Sequence, residues 1–229
     1  MFRLSRTLLG CLAVWLVVGA AASARGDMIL STLPQTNDAL ASATLGPLRI
    51  KALAFTLPGQ SYTLDSAVLR LRLDTFARPL TAPVLRLLND SGNPDIPGSI
   101  VLSTFSTPTL VGGINNFTFT PTSPFTLLAG QKYWLALSSA ADFDTSGLNW
   151  LASDPAVTPT GVATLSGNRF TSDGGANWVA STTVNSFTIN GTLVPTRGGV
   201  IPEPGTLALV ATALLPLAGA VARKHRRTA

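Results

Sequence analysis

Hydrophobic and polar residues alternate along much of the chain between Met28 and Val200. In residues 66–73, every second position is apolar, namely Ala67, Leu69, Leu71 and Leu73. In residues 186–193, every second position from Phe187 to Leu193 is apolar or glycine. A period of two is typical of β-strands that bury one face, so both segments are predicted to be strands.

Further strands are predicted at 48–57, 83–88, 99–105, 114–120, 131–138 and 161–165. Most are separated by clusters of Gly, Pro, Asn, Asp or Ser, which favour turns, and no amphipathic helical repeat lies between the chain ends. Many short strands at this spacing predict an all-β fold over residues 25–195. We expect an antiparallel β-sandwich with a jelly-roll or immunoglobulin-like outline.

The first 24 residues have the three zones of a secretory signal peptide. Arg3 and Arg6 form a basic start, residues 8–20 are apolar, and Ala22 and Ala24 form an A-x-A cleavage signature. We expect export through the Sec translocon and removal of residues 1–24 by signal peptidase. A retained N-terminal anchor is the alternative, and the small residues before the cleavage point argue against it.

The C-terminal end combines an apolar run with a basic cluster. Residues 205–222 carry no charge and would span about 27 Å as a helix, which is enough to cross a thin bilayer. Residues 223–229 follow, and their cations are Arg223, Lys224, Arg226 and Arg227. Because cations are held on the cytoplasmic side, this pattern predicts a transmembrane helix with a cytoplasmic tail and the body of the chain outside. A buried core helix is the alternative.

Pro202, Glu203 and Pro204 lie just before this run, in the linker 196–204. This motif, the apolar segment and the basic cluster together resemble the PEP-CTERM sorting signal of Gram-negative bacteria that make extracellular polysaccharide. The resemblance implies an inner-membrane intermediate, recognition by an exosortase, and final delivery to the cell surface or extracellular matrix. The motif would then be a substrate for processing and have no catalytic role.

Three segments of the body resemble the choice-of-anchor R type of bacterial surface domain. They are "YTLDSAVLRLRL" at 62–73, "APVLRLLNDSGNPDIPGSIV" at 82–101 and "NNFTFTPTSPFTLLAGQKYWLALSS" at 115–139. Such domains occur joined to various surface-anchoring tails. The resemblance implies a β-fold and a surface location, with no defined activity.

Composition narrows the chemistry of the body. The formal net charge of +5 arises at the chain ends, because nine basic and ten acidic residues remain between them, and so we expect no nucleic-acid partner. Cys11, His225 and Glu203 are the only residues of their types, and all three lie in the ends. Thiol nucleophiles, Ser-His-Asp triads and imidazole metal sites are therefore excluded from the body. We predict a protein that is not an enzyme and has no cofactor; a glycoside hydrolase with paired Asp residues is the less favoured alternative.

Two groups of residues are candidates for ligand binding. Trp134 and Trp150 could offer aromatic faces to sugar rings, which would make the domain a lectin-like module for extracellular polysaccharide. Asn89, Asp90 and Asp95 share one polar loop and could supply oxygen ligands to Ca²⁺. Packing of the tryptophans and ordinary turn geometry in the loop are the favoured interpretations.

"TSDGGANW" at 171–178 resembles the Asp-box of sialidases, with Asn177 where Thr is usual. The Asp-box is a hairpin-turn motif that lies away from the sialidase active site and recurs across propeller blades. This chain has one copy. We therefore expect a Gly-rich turn that Trp178 closes.

Overall fold

The structure is a computed structural model that describes residues 26–74, 80–92 and 95–195. The described elements are, in chain order, β1 Asp27–Ser31, β2 Leu40–Ala41, β3 Ile50–Thr56, β4 Tyr62–Leu73, β5 Pro83–Asp90, β6 Pro97–Ser106, β7 Gly113–Pro121, β8 Thr126–Leu127, β9 Lys132–Ser139, α1 Phe143–Ser146, β10 Leu148–Ala152, β11 Thr160–Gly161, β12 Thr164–Thr171, β13 Val179–Ala180 and β14 Phe187–Leu193. All of them belong to one compact unit that ends at Leu193. The described residues form an all-β fold, and the one helix among them is a single turn long.

The strands form two groups in which every pairing is antiparallel. The first sheet has the order β11-β1-β14-β4-β7, and the second has the order β13-β12-β3-β9-β5-β6. Strands β6 and β7 join the two groups through the pairs Phe105/Pro121 and Ser106/Thr120. Short strands β8 and β10 also pair with β4.

Strand β4 confirms the alternation predicted for residues 66–73. Ala67, Leu69, Leu71 and Leu73 have exposed fractions of 0–1%. Arg70 and Arg72 lie on the other face, where the Arg70 guanidinium pairs with Asp38 at 2.8 Å. In β14, Phe187 and Ile189 are buried as expected, whereas Leu193 is 39% exposed because the strand ends there.

One hydrophobic core is shared by the two sheets. Leu69, Phe119 and Phe187 contribute from the first sheet, and Phe55 and Leu135 contribute from the second. The inner faces of both sheets therefore pack against each other. Since the body has no cysteine, this packing rather than any disulfide holds the described domain together.

A second, smaller hydrophobic cluster covers the opposite face of the second sheet. It contains Ala52, Ala54, Trp134 and Ala136. Ile50, Leu88 and Trp178 pack against it. We call this side of the second sheet its outer face, because the shared core lies on the other side.

Most predicted strands are present, with shifted ends. The segment predicted at 161–165 differs most, since the strand there begins at Thr164 and runs to Thr171. Strands Asp27–Ser31 and Leu148–Ala152 were not predicted as separate elements.

The targeting segments predicted at the chain ends lie outside the described residues. They include Ala22, Ala24, the motif at 202–204, the segment 205–222 and the basic tail at 223–229. Among the residues that are described, no helix has the length and apolarity needed to cross a membrane.

Candidate functional site

The outer face of the second sheet has a floor of small side chains. Strand register aligns Arg86, Ala136, Ala52 and Arg169 in one row across β5, β9, β3 and β12. Neighbouring strands lie about 4.8 Å apart. The two arginines are at the ends of this row, and the two alanines lie between them. Both alanines are buried, Ala136 at 4% and Ala52 at 0% exposure.

Trp134 fills the adjacent row, which runs Leu88, Trp134, Ala54 and Gly167. A Cβ atom on Gly167 would lie 3.1 Å from Cη2 of the indole and 3.7 Å from the Ala54 Cβ. The indole therefore extends along the row towards β12, and small residues at 54 and 167 make room for it. Trp134 has an exposed fraction of 0%, so it offers no ring face to a sugar.

Charged groups hold the Trp134 indole in place. Its Nε1 donates a hydrogen bond to Asp90 Oδ1 at 2.8 Å, and Lys132 Nζ lies 5.0 Å from the ring centroid. Lys132 Nζ also pairs with Asp95 Oδ1 at 3.1 Å and lies 3.6 Å from Asp90 Oδ1. Arg169 donates to the Asp95 carbonyl oxygen, and its Nη2 is 3.8 Å from Asp95 Oδ2. This network links β12, β9 and the β5–β6 loop.

The same network engages the oxygens proposed as calcium ligands. Asp90 and Asp95 face Lys132, Arg169 and the indole N–H, while Asn89 Oδ1 accepts a hydrogen bond from the Ile100 amide at 2.9 Å. Within the described ranges, no three His, Cys, Asp or Glu side chains come together as metal ligands. The described oxygens of this loop are therefore engaged by ion pairs and hydrogen bonds, and the calcium site considered from the sequence stays a prediction.

Trp150 is separated from Trp134 and belongs to the shared core. It lies on β10 with an exposed fraction of 0%, and its Nε1 donates to the Ser186 carbonyl oxygen at 3.0 Å. The two tryptophans therefore do not form one aromatic platform. Packing accounts for both of them, and the sugar-stacking role considered for them from the sequence has no exposed surface to use.

A cleft of about 270 Å³ opens beside the Trp134 cluster on the same outer face. We call it the Arg86 cleft. Ile50, Leu88 and Ala136 line it, together with β6 residues at 97–99 and 101 and the turn residues Gly174, Gly175 and Trp178. Arg86, Ser99 and Ser138 add polar groups, and in the described part of the chain none of the three makes a side-chain hydrogen bond or ion pair.

The turn that resembles an Asp-box joins β12 to β13 in a hairpin. Thr171 Oγ1 donates to Asp173 Oδ1 at 2.6 Å, and Asp173 accepts from the backbone and side-chain nitrogens of Asn177 at 2.9 and 2.8 Å. The Thr171 hydroxyl, followed by the Asn177 donors, lowers the pKa of Asp173 well below its usual range. Trp178, which is half-buried, follows this turn and packs against the Trp134 cluster.

Lys51 forms a separate polar site at a surface recess of about 310 Å³. Its side chain is 2% exposed, and Nζ donates to Ser181 Oγ and to the Thr183 carbonyl oxygen, the latter at 3.0 Å. Burial lowers the pKa of Lys51 from 10.5 to about 8. Alternation along β3 places Lys51 on the same face as Leu53 and Phe55. This pattern is the one sequence signal that could have indicated that Lys51 is buried.

No protein-family model matches the chain, and no curated protein matches it. The PEP-CTERM and choice-of-anchor R resemblances therefore stay predictions.

Proposed function

We propose that the protein is an exported, non-enzymatic component of the cell surface or extracellular matrix of a Gram-negative bacterium, sorted by an exosortase. The observation that carries the proposal is the order of three features after the last described strand, which ends at Leu193. The Pro202-Glu203-Pro204 motif comes first, an apolar segment follows, and a basic cluster ends the chain. The N-terminal signal pattern supplies the route of export that this order requires.

The body of such a protein is, in this proposal, an antiparallel β-sandwich with a jelly-roll or immunoglobulin-like outline. Two antiparallel groups of strands with a common core support it, since sandwiches bury the inner faces of two sheets against each other. The turns between the strands would present surface loops outside the cell.

The described cleft chemistry favours binding over catalysis. A glycoside hydrolase needs two carboxyl groups on either side of a bond, about 5–10 Å apart. The described side chains lining the Arg86 cleft supply a guanidinium and two hydroxyls instead of a carboxylate pair. Asp90 and Asp95 are nearby but hold Lys132, Arg169 and the Trp134 indole.

A reporter fusion tests the sorting proposal without relying on the body of the protein. Residues 196–229 would be joined to an unrelated exported reporter and expressed in host strains with and without an exosortase. We expect the reporter to be shortened and to leave the inner membrane only in the strain that has the exosortase.

The matched control changes the motif alone. Replacing Pro202, Glu203 and Pro204 by alanine keeps the apolar segment and the basic cluster, so membrane insertion should persist while processing stops. Equal processing of the intact and altered tails would contradict recognition through the motif.

A further inference from the structure

We propose that the Arg86 cleft binds an acidic saccharide, with the Arg86 guanidinium holding the carboxylate of a uronic acid ring. The proposal deepens the function proposed above and rests on it, because such a ligand would be met outside the cell. It also moves the lectin-like hypothesis from Trp134 and Trp150 to the Arg86 cleft, where Arg86 and Ser99 are exposed.

The charged residues in and around the cleft indicate the sign of the ligand. Strands β5, β9 and β12 contribute the cations Arg86, Lys132 and Arg169 to this face. Lys132 and Arg169 are matched by Asp90 and Asp95 at 3.1–3.8 Å. Arg86 is exposed, and the described residues give it no acidic partner. Asp173 lies in the turn beside the cleft, but its carboxylate is held by Thr171 and Asn177 and is not among the lining residues. Arg86 is therefore the one charged side chain among the described lining residues, and its planar fork fits a carboxylate through two parallel hydrogen bonds.

The remaining polar groups of the cleft suit a ring that carries hydroxyls. The hydroxyls of Ser99 and Ser138 have no hydrogen-bond partner among the described residues and can both donate and accept. The two glycine amides of the turn that line the cleft are already used, since the Gly174 amide donates to the Leu48 carbonyl oxygen at 2.9 Å and the Gly175 amide donates to Thr171 Oγ1 at 3.2 Å. A peptide backbone would find few hydrogen-bond donors on the turn side of the cleft, whereas sugar hydroxyls can form hydrogen bonds with the two serines.

Apolar surface completes the match to a sugar ring. Trp178 is half-buried beside the cleft, and Val101, which is 46% exposed, lies on the β6 side. Aromatic and aliphatic side chains of this kind pack against the C–H face of a pyranose, while polar groups fix its orientation. The volume of about 270 Å³ is slightly below the usual range for small-ligand clefts, so it suits one ring of a longer chain.

Calorimetric titration with trigalacturonic acid tests the proposal on the full-length protein in detergent. The fully methyl-esterified trisaccharide is the matched ligand control, because it keeps the rings and removes the negative charges. We expect the acid to bind at least tenfold more tightly than the ester and to weaken as salt is raised.

Two arginine variants distinguish binding in the cleft from non-specific attraction between the acid and the protein's positive charge. Arg86→Gln should lower the affinity for the acid at least tenfold. Arg72→Gln removes the same charge from an exposed position on β4 of the first sheet and should leave binding unchanged. Thermal unfolding of both variants would check that the fold is kept.

Several results would overturn the proposal: no binding of the acid, equal binding of the ester, or an Arg86→Gln variant that binds as well as the original chain. Equal or tighter binding of a Glu-rich peptide would identify a protein partner instead and would also reject it. The reporter fusion lacks this domain, so such a failure would leave the sorting proposal standing, and a failure of sorting would leave the measured binding intact.

Discussion

Lys51 provides a quantitative test of the folded domain, through replacement by methionine. Its side chain is 2% exposed and is satisfied by Ser181 and Thr183. No carboxylate in the described ranges lies within ion-pair distance of it. Burial lowers the pKa of Lys51 from 10.5 to about 8, and that gap corresponds to about 3 kcal/mol against the charged form in the folded state.

The sign of the pH dependence follows from proton binding. Below pH 8, Lys51 is protonated in both states and the folded state bears the full penalty. Between about pH 8 and 10.5 the folded state has released its proton while the unfolded state still holds one. The wild-type chain should therefore gain up to about 3 kcal/mol relative to Lys51→Met as the pH rises through this window.

Urea unfolding of both chains at pH 7, 8, 9 and 10 measures this difference. Burial raises the pKa of Tyr133, but that residue is present in both chains and its effect cancels in the comparison. Lys51→Arg is the control, because arginine stays charged over the whole range and should not show the gain. A wild-type minus Lys51→Met difference that stays constant with pH would refute the desolvation of Lys51.

Three further variants probe packing and turn geometry. Trp134→Ala should lower the free energy of unfolding by about 3–5 kcal/mol, and Trp134→Phe by less, in urea titrations; equal losses would contradict the fit of the indole. Gly161→Ala should cost at least about 2 kcal/mol, because φ is +136° and the new Cβ would lie 2.3 Å from the Ile29 carbonyl oxygen; a neutral effect would reject that contact. Asp173→Ala should speed amide hydrogen exchange in the 171–178 turn, and unchanged protection would argue against its side-chain bonds.

The alternation of hydrophobic and polar residues predicts most of the strands and the side chains that a strand such as β4 contributes to the core. The alternation in residues 66–73 identified the buried residues of β4 because a strand's side chains point to opposite faces in turn. The same rule places Tyr133 and Trp134, which are adjacent in the sequence, on opposite sides of the sheet. It could not show that both are buried, at 5% and 0% exposure.

The charged side chains around the Trp134 indole come from distant parts of the chain. Asp95 lies 37 residues before Lys132 and 74 residues before Arg169, yet the three side chains meet on one face. Only the strand order β12-β3-β9-β5 brings them together. The Arg86 cleft was missed for the same reason, since one wall is β6 and the other is the turn after β12. Alternation with Leu85 and Leu87 could place Arg86 on the outer face but could not reveal its neighbours.

The intact mass of the protein recovered from the surface or medium of an exosortase-carrying host tests the central claim most directly. Signal-peptide removal and exosortase processing together predict a chain that begins at Arg25 and lacks residues 205–229. A surface form that retains the apolar segment and the basic tail would contradict exosortase processing. A form that still carries residues 1–24 would contradict export with removal of the signal peptide.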